Sequence, residues 1–197
     1  MTAKPVGMEA AVRRIETLLA EQEHVFVAID GPCASGKTTL ARNLNERFGG
    51  NVLHMDDFFL RPEQRTPERL AEPGGNVDRE RFETETLAPL ANGKAALYRP
   101  WDCHAGDFMT ARTVNPARLT IVEGSYGMHP DLRRYYDCMI CLAIAPTEQL
   151  RRLEARNSRM LQRFIDEWIP LENRYFEVTG IQAAADMVVD TALPNNE

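Results

Sequence analysis

Nine consecutive residues carry enough chemistry to organise a site: Gly31-Pro32-Cys33-Ala34-Ser35-Gly36-Lys37-Thr38-Thr39. They fit the pattern G-x-x-x-x-G-K-[ST], in which each residue type answers one need of a bound phosphate. Gly31 and Gly36 allow backbone angles that turn successive N–H groups toward an anion, with no Cβ in the way. Lys37 is long enough to reach β- and γ-phosphates, and the Thr38 hydroxyl can ligate Mg²⁺. The expected phosphate-binding set is Gly31, Ala34, Ser35, Gly36, Lys37, Thr38 and Thr39. A glycine-rich turn that matches by chance is the plain alternative, and the flanks argue against it. Val25-Phe26-Val27-Ala28-Ile29 reads as a buried parallel strand, and Leu40 to Phe48 has helical apolar spacing. The loop therefore joins a strand to the positive end of a helix, where a nucleoside triphosphate fits.

Further acids follow strands. Val52-Leu53-His54-Met55 predicts a second strand running into Asp56-Asp57-Phe58-Phe59, and Leu119-Thr120-Ile121-Val122 a third ending in Glu123-Gly124-Ser125-Tyr126. An acid at the carboxyl end of such a strand faces the ligand crevice of an α/β sheet. Asp56 or Asp57 is there a proton acceptor for a substrate hydroxyl or a magnesium ligand, the alternative being a capping or solvated turn. Glu123 is read as holding Mg²⁺, directly or through water, in preference to capping a turn. Arg151, Arg152, Arg156, Arg159 and Arg163 have only Glu154 as an acid among them. They make a cationic patch suited to neutralising a triphosphate, set against a solvated helical face with i,i+4 pairs. Arg152, Arg156 and Arg159 are the expected nucleotide contacts. Asp78 either caps the helix after it or binds substrate hydroxyls, and the spacing favours neither. Two hairpin arms, 95–98 and 109–114, bring Tyr98, Trp101, Asp102, His104 and Arg112 near one another. That mixture suits a small polar ring or sugar, and equally an ordinary half-exposed hairpin; His104 alone reads as a surface or packing histidine.

These groups need one scaffold. The 197 residues, 44% of them hydrophobic, can bury one sizeable core, which predicts a single domain over 1–197 with a substrate-binding insertion at about 59–116 and a lid at about 151–163. The formal charge of −6 argues against a general nucleic-acid surface. No apolar run approaches the roughly 18 residues of a membrane span, and the N-terminus lacks a signal-peptide core, so a cytoplasmic protein with no membrane partner is expected. Cys138 and Cys141 form a nominal C-x-x-C, but within a strand residues three apart point to opposite faces, so they read as small buried residues. Met8, Val12, Ile15 and Leu19 predict an amphipathic first helix ending near Glu23. Residues 60–78, with Pro62, Pro67, Pro73, Gly74 and Gly75, predict a loop too long for a plain connector. A helical pattern follows from Arg79 to Leu90, a fourth strand at Cys138–Ile144, and a helix opening at Pro146. Leu161, Phe164, Ile165 and Trp168 recur as a core stripe, Pro170 interrupts or restarts a helix that reaches Glu177, 185–190 is the last strand, and 193–197 a loose tail.

Together these residues resemble the uridine kinase/phosphoribulokinase family of P-loop kinases over about Val25 to Glu177, uridine kinases being the nearest members. The markers are GPCASGKTT at 31–39, DDFF at 56–59, NVD at 76–78, Tyr98 before the hairpin, VEG at 122–124, and the arginine-rich segment after them. The resemblance implies an α/β P-loop NTPase three-layer sandwich: a mainly parallel five-stranded sheet with flanking helices, a substrate hairpin and an Arg-rich lid. It implies ATP (or another NTP) and Mg²⁺, with Thr38, Asp56 and Glu123 around the metal, and Asp56 and Lys37 as the catalytic residues. Asp78 would hold ribose hydroxyls and Tyr98 would lie beside the base, with Trp101, His104 and Arg112 completing the acceptor pocket. The implied reaction moves the γ-phosphate to a hydroxyl of a small molecule, first a nucleoside (the 5′-hydroxyl of uridine or cytidine), with pantothenate, a sugar or a sugar phosphate as the alternative acceptor. A nucleotide-binding regulator without catalysis is the alternative of another class, and a homo-oligomer is left open. Two stretches depart from the family. Uridine kinases continue the lid as R-D followed by R-G-R, where this chain has Arg156-Asn157-Ser158-Arg159; Arg99-Pro100-Trp101-Asp102-Cys103-His104 only loosely matches the family's aspartate–aromatic–threonine–histidine stretch. Both bear on the acceptor more than on phosphoryl transfer.

Overall fold

A computed structural model describes residues 5–191 of the chain; the expected tail at 193–197 lies outside them. Among the described residues nine strands run in chain order as β1 (Val25–Asp30), β2 (Asn51–His54), β3 (Ala96–Tyr98), β4 (Trp101–Asp102), β5 (Asp107–Phe108), β6 (Arg112–Val114), β7 (Leu119–Glu123), β8 (Cys138–Ala143) and β9 (Met187–Asp190). Five form one sheet in the order β2-β7-β1-β8-β9, and every pairing in it is parallel. The expected five-stranded α/β architecture is what the chain builds.

β1 is buried along its whole length, as a central strand covered on both faces must be. Its residues alternate between two cores. Val25, Val27 and Ile29 pack with Leu119, Ile121, Ile140 and Leu142 under the helices Met8–Glu21 and Lys37–Phe48. Phe26 and Ala28 face the other way, with Leu53, Phe58, Phe82, Tyr98, Val122 and Tyr175. A one-residue slip of β1 would exchange the two sets, so this alternation pins the register that levels the strand ends. Cys138 belongs to the first core and Cys141 to the second, the opposite-face placement expected of them.

The insertion is a hairpin within a hairpin. β3 pairs antiparallel with β6, and beyond them β4 pairs with β5, so that Trp101 lies opposite Phe108. The segment 60–78 is more ordered than a loop. It holds a turn at Pro62–Gln64 and a short helix at Pro67–Ala71, and a bridge from Phe59 to Val77 closes its base. The helical stretch after Asp78 runs as Arg79–Phe82, a wide π turn Glu83–Leu87, and Ala88–Ala91.

One expectation is corrected. Leu161, Phe164, Ile165 and Trp168 do not enter either core, and Ile165 is 39% exposed. Phe164 and Trp168 instead stack edge-to-face at 4.5 Å, with the Arg163 guanidinium over Trp168. The segment follows the helix Pro146–Asn157 and is shared between a three-residue helical turn and a π turn, Phe164–Trp168, before Ile169–Thr179. Periodicity marked an apolar face, but no layer of the sandwich lies against it. No helix among the described residues is long and apolar enough to cross a membrane.

Gly31 shows how closely the layers meet at the loop. At φ +141° it needs a conformation that favours glycine, and a Cβ there would stand 2.6 Å from the Leu142 carbonyl oxygen of β8. Gly31→Ala is therefore expected to cost about 1–3 kcal/mol from backbone strain alone, before the clash is added. That corresponds to a fall in Tm of at least about 2–4 °C per kcal/mol in a chain of this size. Gly49→Ala also has positive φ, but nothing lies within 4 Å of its Cβ, so it should melt above Gly31→Ala. Equal melting of the two would remove the β8 contact from the argument.

Candidate active site

The sheet order decides what surrounds the P-loop. Glu123 at the end of β7 is level with Ile29 of β1 on one side and His54 of β2 on the other. The carboxyl ends of three neighbouring strands thus open onto one crevice, the usual ligand position in such sheets. Gly36 (φ +102°) delivers the chain into the helix Lys37–Phe48, whose first turn is capped by no side chain, leaving its N–H groups for an anion. Lys37 Nζ donates to the Gly31 and Pro32 carbonyls at 2.8 and 2.9 Å and to Ser125 Oγ at 3.3 Å, so it lies across the mouth of the loop.

Thr38 Oγ1 donates to both carboxylate oxygens of Glu123 at 3.2 Å. His54 Nδ1 lies 2.5 Å from Glu123 Oε1. That hydrogen bond raises the His54 pKa above its ordinary value, against the opposing effect of burial. Among the described residues, no group of three or more His, Cys, Asp or Glu side chains is placed to hold a metal by itself. Mg²⁺ keeps waters and substrate phosphates in its shell, so the hard oxygens of Thr38, Glu123 and Asp56 suit it.

The two acids of the Met55–Phe58 turn have different surroundings. Asp57 accepts a hydrogen bond from the Tyr98 hydroxyl, which in turn accepts the His54 N–H at 2.9 Å. Asp56 has no hydrogen-bond partner among the described residues, and its carboxylate opens on one side to solvent. Protein encloses it elsewhere. That desolvation raises its pKa, the Lys37 ammonium lowers it, and the carboxylates of Glu123, Glu172 and Asp57 raise it further.

Behind the loop lies a polar net that local patterns do not reveal. Asp30, fully buried, accepts from the Gly31 N–H at 2.6 Å, the Met128 N–H at 2.9 Å and the Tyr175 hydroxyl at 2.9 Å. Burial pushes its pKa up to about 6 despite these bonds and Lys37. Glu172 accepts from the Cys33 N–H at 2.8 Å and from Ser125 Oγ at 2.7 Å. The Cys33 thiol is pushed up to about 12, by burial first and then by the Glu172 carboxylate. The helix Ile169–Thr179 is thereby fastened to the phosphate loop.

Of the arginines at 151–163, Arg152 reaches the loop, donating to the Ala34 carbonyl at 3.3 Å and Thr191 Oγ1 at 3.2 Å while pairing with Glu148 at 2.7 Å. Arg151 pairs with the same glutamate and Arg163 with Glu167. Arg156 and Arg159 are exposed and have no partner among the described residues. Asp78, one of the residues expected to face an acceptor, caps its helix, Oδ1 accepting the Arg81 N–H at 3.2 Å, while Oδ2 accepts Gln64 Nε2 at 2.8 Å. Tyr98 is fully buried against Phe58, with Arg112 stacked 4.5 Å over its ring. Trp101 meets Phe108 edge-to-face at 5.0 Å, and His104 is exposed in the β4–β5 turn.

No family model and no curated protein sequence matches the chain. Solved structures do match. One described as a possible uridine kinase from Bacillus stearothermophilus superposes with a TM-score of 0.67 at 22% identity, covering 92% of this chain and all of that one. Phosphoribulokinase from Rhodobacter spheroides gives 0.56 at 12% identity, covering 89% of this chain and 75% of that one. The chain has the uridine kinase-like P-loop kinase fold. Within that fold, Lys37, Thr38, Asp56 and Glu123 gather at the strand ends, and Arg152 stands over the loop. Arg156 and Arg159 are exposed with no partner among the described residues, and the buried Tyr98 ring offers no open face for stacking. Sequence reasoning missed His54, Asp30, Ser125, Glu172, and the group Arg61, Arg81, Arg99 and Phe108. His54 had a signal, being two residues from Asp56 at a strand end; the others come from separate elements.

Proposed function

We propose that this chain is a magnesium-dependent, cytoplasmic kinase that moves the γ-phosphoryl group of ATP to an alcohol hydroxyl of a small molecule. One observation carries the reading: Thr38 of the P-loop hydrogen-bonds Glu123 at the end of β7, and Asp56 faces the same crevice with its carboxylate free. Backbone N–H groups of the loop and the Lys37 ammonium would hold the β- and γ-phosphates. Thr38, Glu123 and Asp56 would hold Mg²⁺, which would supply charge neutralisation to the triphosphate. Asp56 takes the proton from the acceptor hydroxyl as its oxygen bonds to the γ-phosphorus, and ADP departs with the electrons of the broken bond. The engaged Asp57 braces Tyr98 in this scheme. Lid arginines Arg156 and Arg159, free of partners, would close over the triphosphate.

The sequence resemblance points first to a nucleoside 5′-hydroxyl of uridine or cytidine, with Asp78 toward the sugar. A second reading, an alcohol carrying its own negative charge, is favoured by the guanidinium groups gathered around Phe108. Incubation with MgATP and a panel of alcohols, followed by ADP release and product mass, tests the kinase. The expected result is acceptor-dependent ADP formation and a product heavier by one phosphoryl group, lost with a chelator and restored by Mg²⁺. Tight ATP binding with no acceptor-dependent turnover would instead make the chain a nucleotide-binding regulator.

A further inference from the structure

Beside the proposed base, the insertion encloses a shallow cavity of about 330 Å³ lined by Arg61, Gln64, Asp78, Arg81, Arg99 and Phe108, with Glu80 and Glu85 at its edge. Its distance from the chemistry is short: Arg81 Nη2 donates to the Asp57 carbonyl at 3.4 Å, one residue from Asp56. Three guanidinium groups surround the Phe108 ring, Arg99 at 4.1 Å, Arg81 at 5.2 Å and Arg61 at 5.9 Å from its centroid. Three acids also stand there, so net charge alone decides nothing.

Hydrogen-bonding capacity separates the two signs. Both Asp78 oxygens are engaged, by the Arg81 N–H and by Gln64. Both Glu80 oxygens are held by Arg69 at 2.7 Å. Glu85 gives one oxygen to Arg99 at 3.0 Å and the other to Arg81 at 3.5 Å. The arginines, in contrast, keep donors unused. Arg81 is 8% exposed, and its buried Nε makes no hydrogen bond but lies 3.5 Å from Asp78 Oδ2; the buried Nε of Arg99 has no hydrogen-bond partner among the described residues. A buried guanidinium N–H without an acceptor is costly, and Arg99 Nε finds none among the described residues. Burial holds the Arg81 pKa below its ordinary value, although Asp78 and Glu85 oppose the shift. A ligand offering a phosphate or carboxylate matches these forked donors, whereas a neutral sugar or base leaves them unmatched.

We propose that this cavity is an anion subsite for the acceptor, so that the substrate is an alcohol bearing a phosphate or carboxylate and not a neutral nucleoside. The inference rests on the kinase reading: the hydroxyl lies at Asp56, and the anionic end of the same molecule is held by Arg81, Arg99 and Arg61. Arg99 and Arg61 are the specificity-determining side chains to change, since both are partly exposed and Arg81 is part of the core contact with Phe58.

The full chain and its Arg99→Gln and Arg61→Gln variants are assayed with MgATP for ADP release against three sets of acceptors. Pentose 5-phosphates supply phosphate, pantothenate and gluconate supply carboxylate, and uridine, cytidine and ribose are neutral. An anionic alcohol is expected to give the highest kcat/KM, with the phosphate and carboxylate sets telling the two sources apart. Arg99→Gln should raise its KM about 10- to 100-fold, the size of a lost charge-assisted hydrogen bond, while kcat changes far less. Uridine or cytidine as best acceptor, or an anionic acceptor whose KM neither variant moves, overturns the subsite and leaves the kinase standing. ATP binding with no turnover on any of the three sets overturns both.

Discussion

Asp56→Asn is expected to lose phosphoryl transfer by about 10²- to 10⁴-fold in kcat, the span of a positioned general base, while ATP still binds. Asparagine keeps the size of the side chain and removes its charge and basicity. No hydrogen bond of the fold is broken, because Asp56 has no partner among the described residues. Folding should therefore be intact, and ATP affinity should hold or improve, since a carboxylate is removed from the neighbourhood of the triphosphate. Single-turnover assays with ATP binding measured in parallel give the separation. A Mg²⁺ titration distinguishes the two roles assigned to this carboxylate. If excess Mg²⁺ restores turnover, Asp56 acts by holding the metal; if the loss persists, it acts on the proton. A kcat within threefold of the parent would remove Asp56 from the chemistry.

Lys37→Met is expected to fail differently, losing both ATP binding and turnover. Methionine matches the length of lysine, but the three donations to Gly31, Pro32 and Ser125 vanish with the charge. Two of those partners are loop carbonyls that would otherwise face the anion, so the ammonium both orders the loop and offsets their repulsion. Loss of one such preorganised charge costs about 10²- to 10³-fold in kcat. The ligand-induced melting shift gives a second readout. A ligand at 100 times its Kd stabilises a protein by about 2.7 kcal/mol, which for a chain of this length is a shift of about 5–10 °C. The parent should show that shift with MgATP and Lys37→Met should show little of it. Retention of both the shift and the turnover would contradict the placement of Lys37.

The two variants divide the site along the same line as the sequence signals did. At the carboxyl ends of β1, β2 and β7 the P-loop, Asp56 and Glu123 were legible, because each follows an apolar run that reads as a buried strand, whereas Asp30, His54 and Ser125 at the same ends were not. Val25–Ile29 leads into the P-loop, Val52–His54 into Asp56, and Leu119–Val122 into Glu123. Such signals are local: backbone period and residue type within a few positions suffice. The strand order β2-β7-β1 is not local, yet any parallel arrangement of these runs would place their carboxyl ends on one edge.

The residues expected around an acceptor were harder to read. Asp78, Tyr98, Trp101, His104 and Arg112 were singled out by type, but their directions depend on a hairpin nested inside another. That nesting sinks Tyr98 beneath Arg112, leaves His104 in solvent, and turns Phe108 toward arginines 9, 27 and 47 residues away in sequence. Glu172 likewise meets Cys33 from 139 residues along the chain.

The sequence by itself determined the phosphate loop, the two acids facing it, the buried strands and the polar–apolar faces of the helices, since these follow from short-range sterics and side-chain period. Only the tertiary structure decided which faces meet. The stripe Leu161–Trp168 has the spacing of a core helix, yet it stays outside both cores because no layer lies against it. Arg81 and Arg99 have the composition of a solvated surface, yet Arg81 ends 8% exposed beside Asp78 and Arg99 keeps a buried Nε without a hydrogen-bond partner among the described residues. A residue's spacing encodes the face it occupies; what covers that face is set by contacts made across the whole chain.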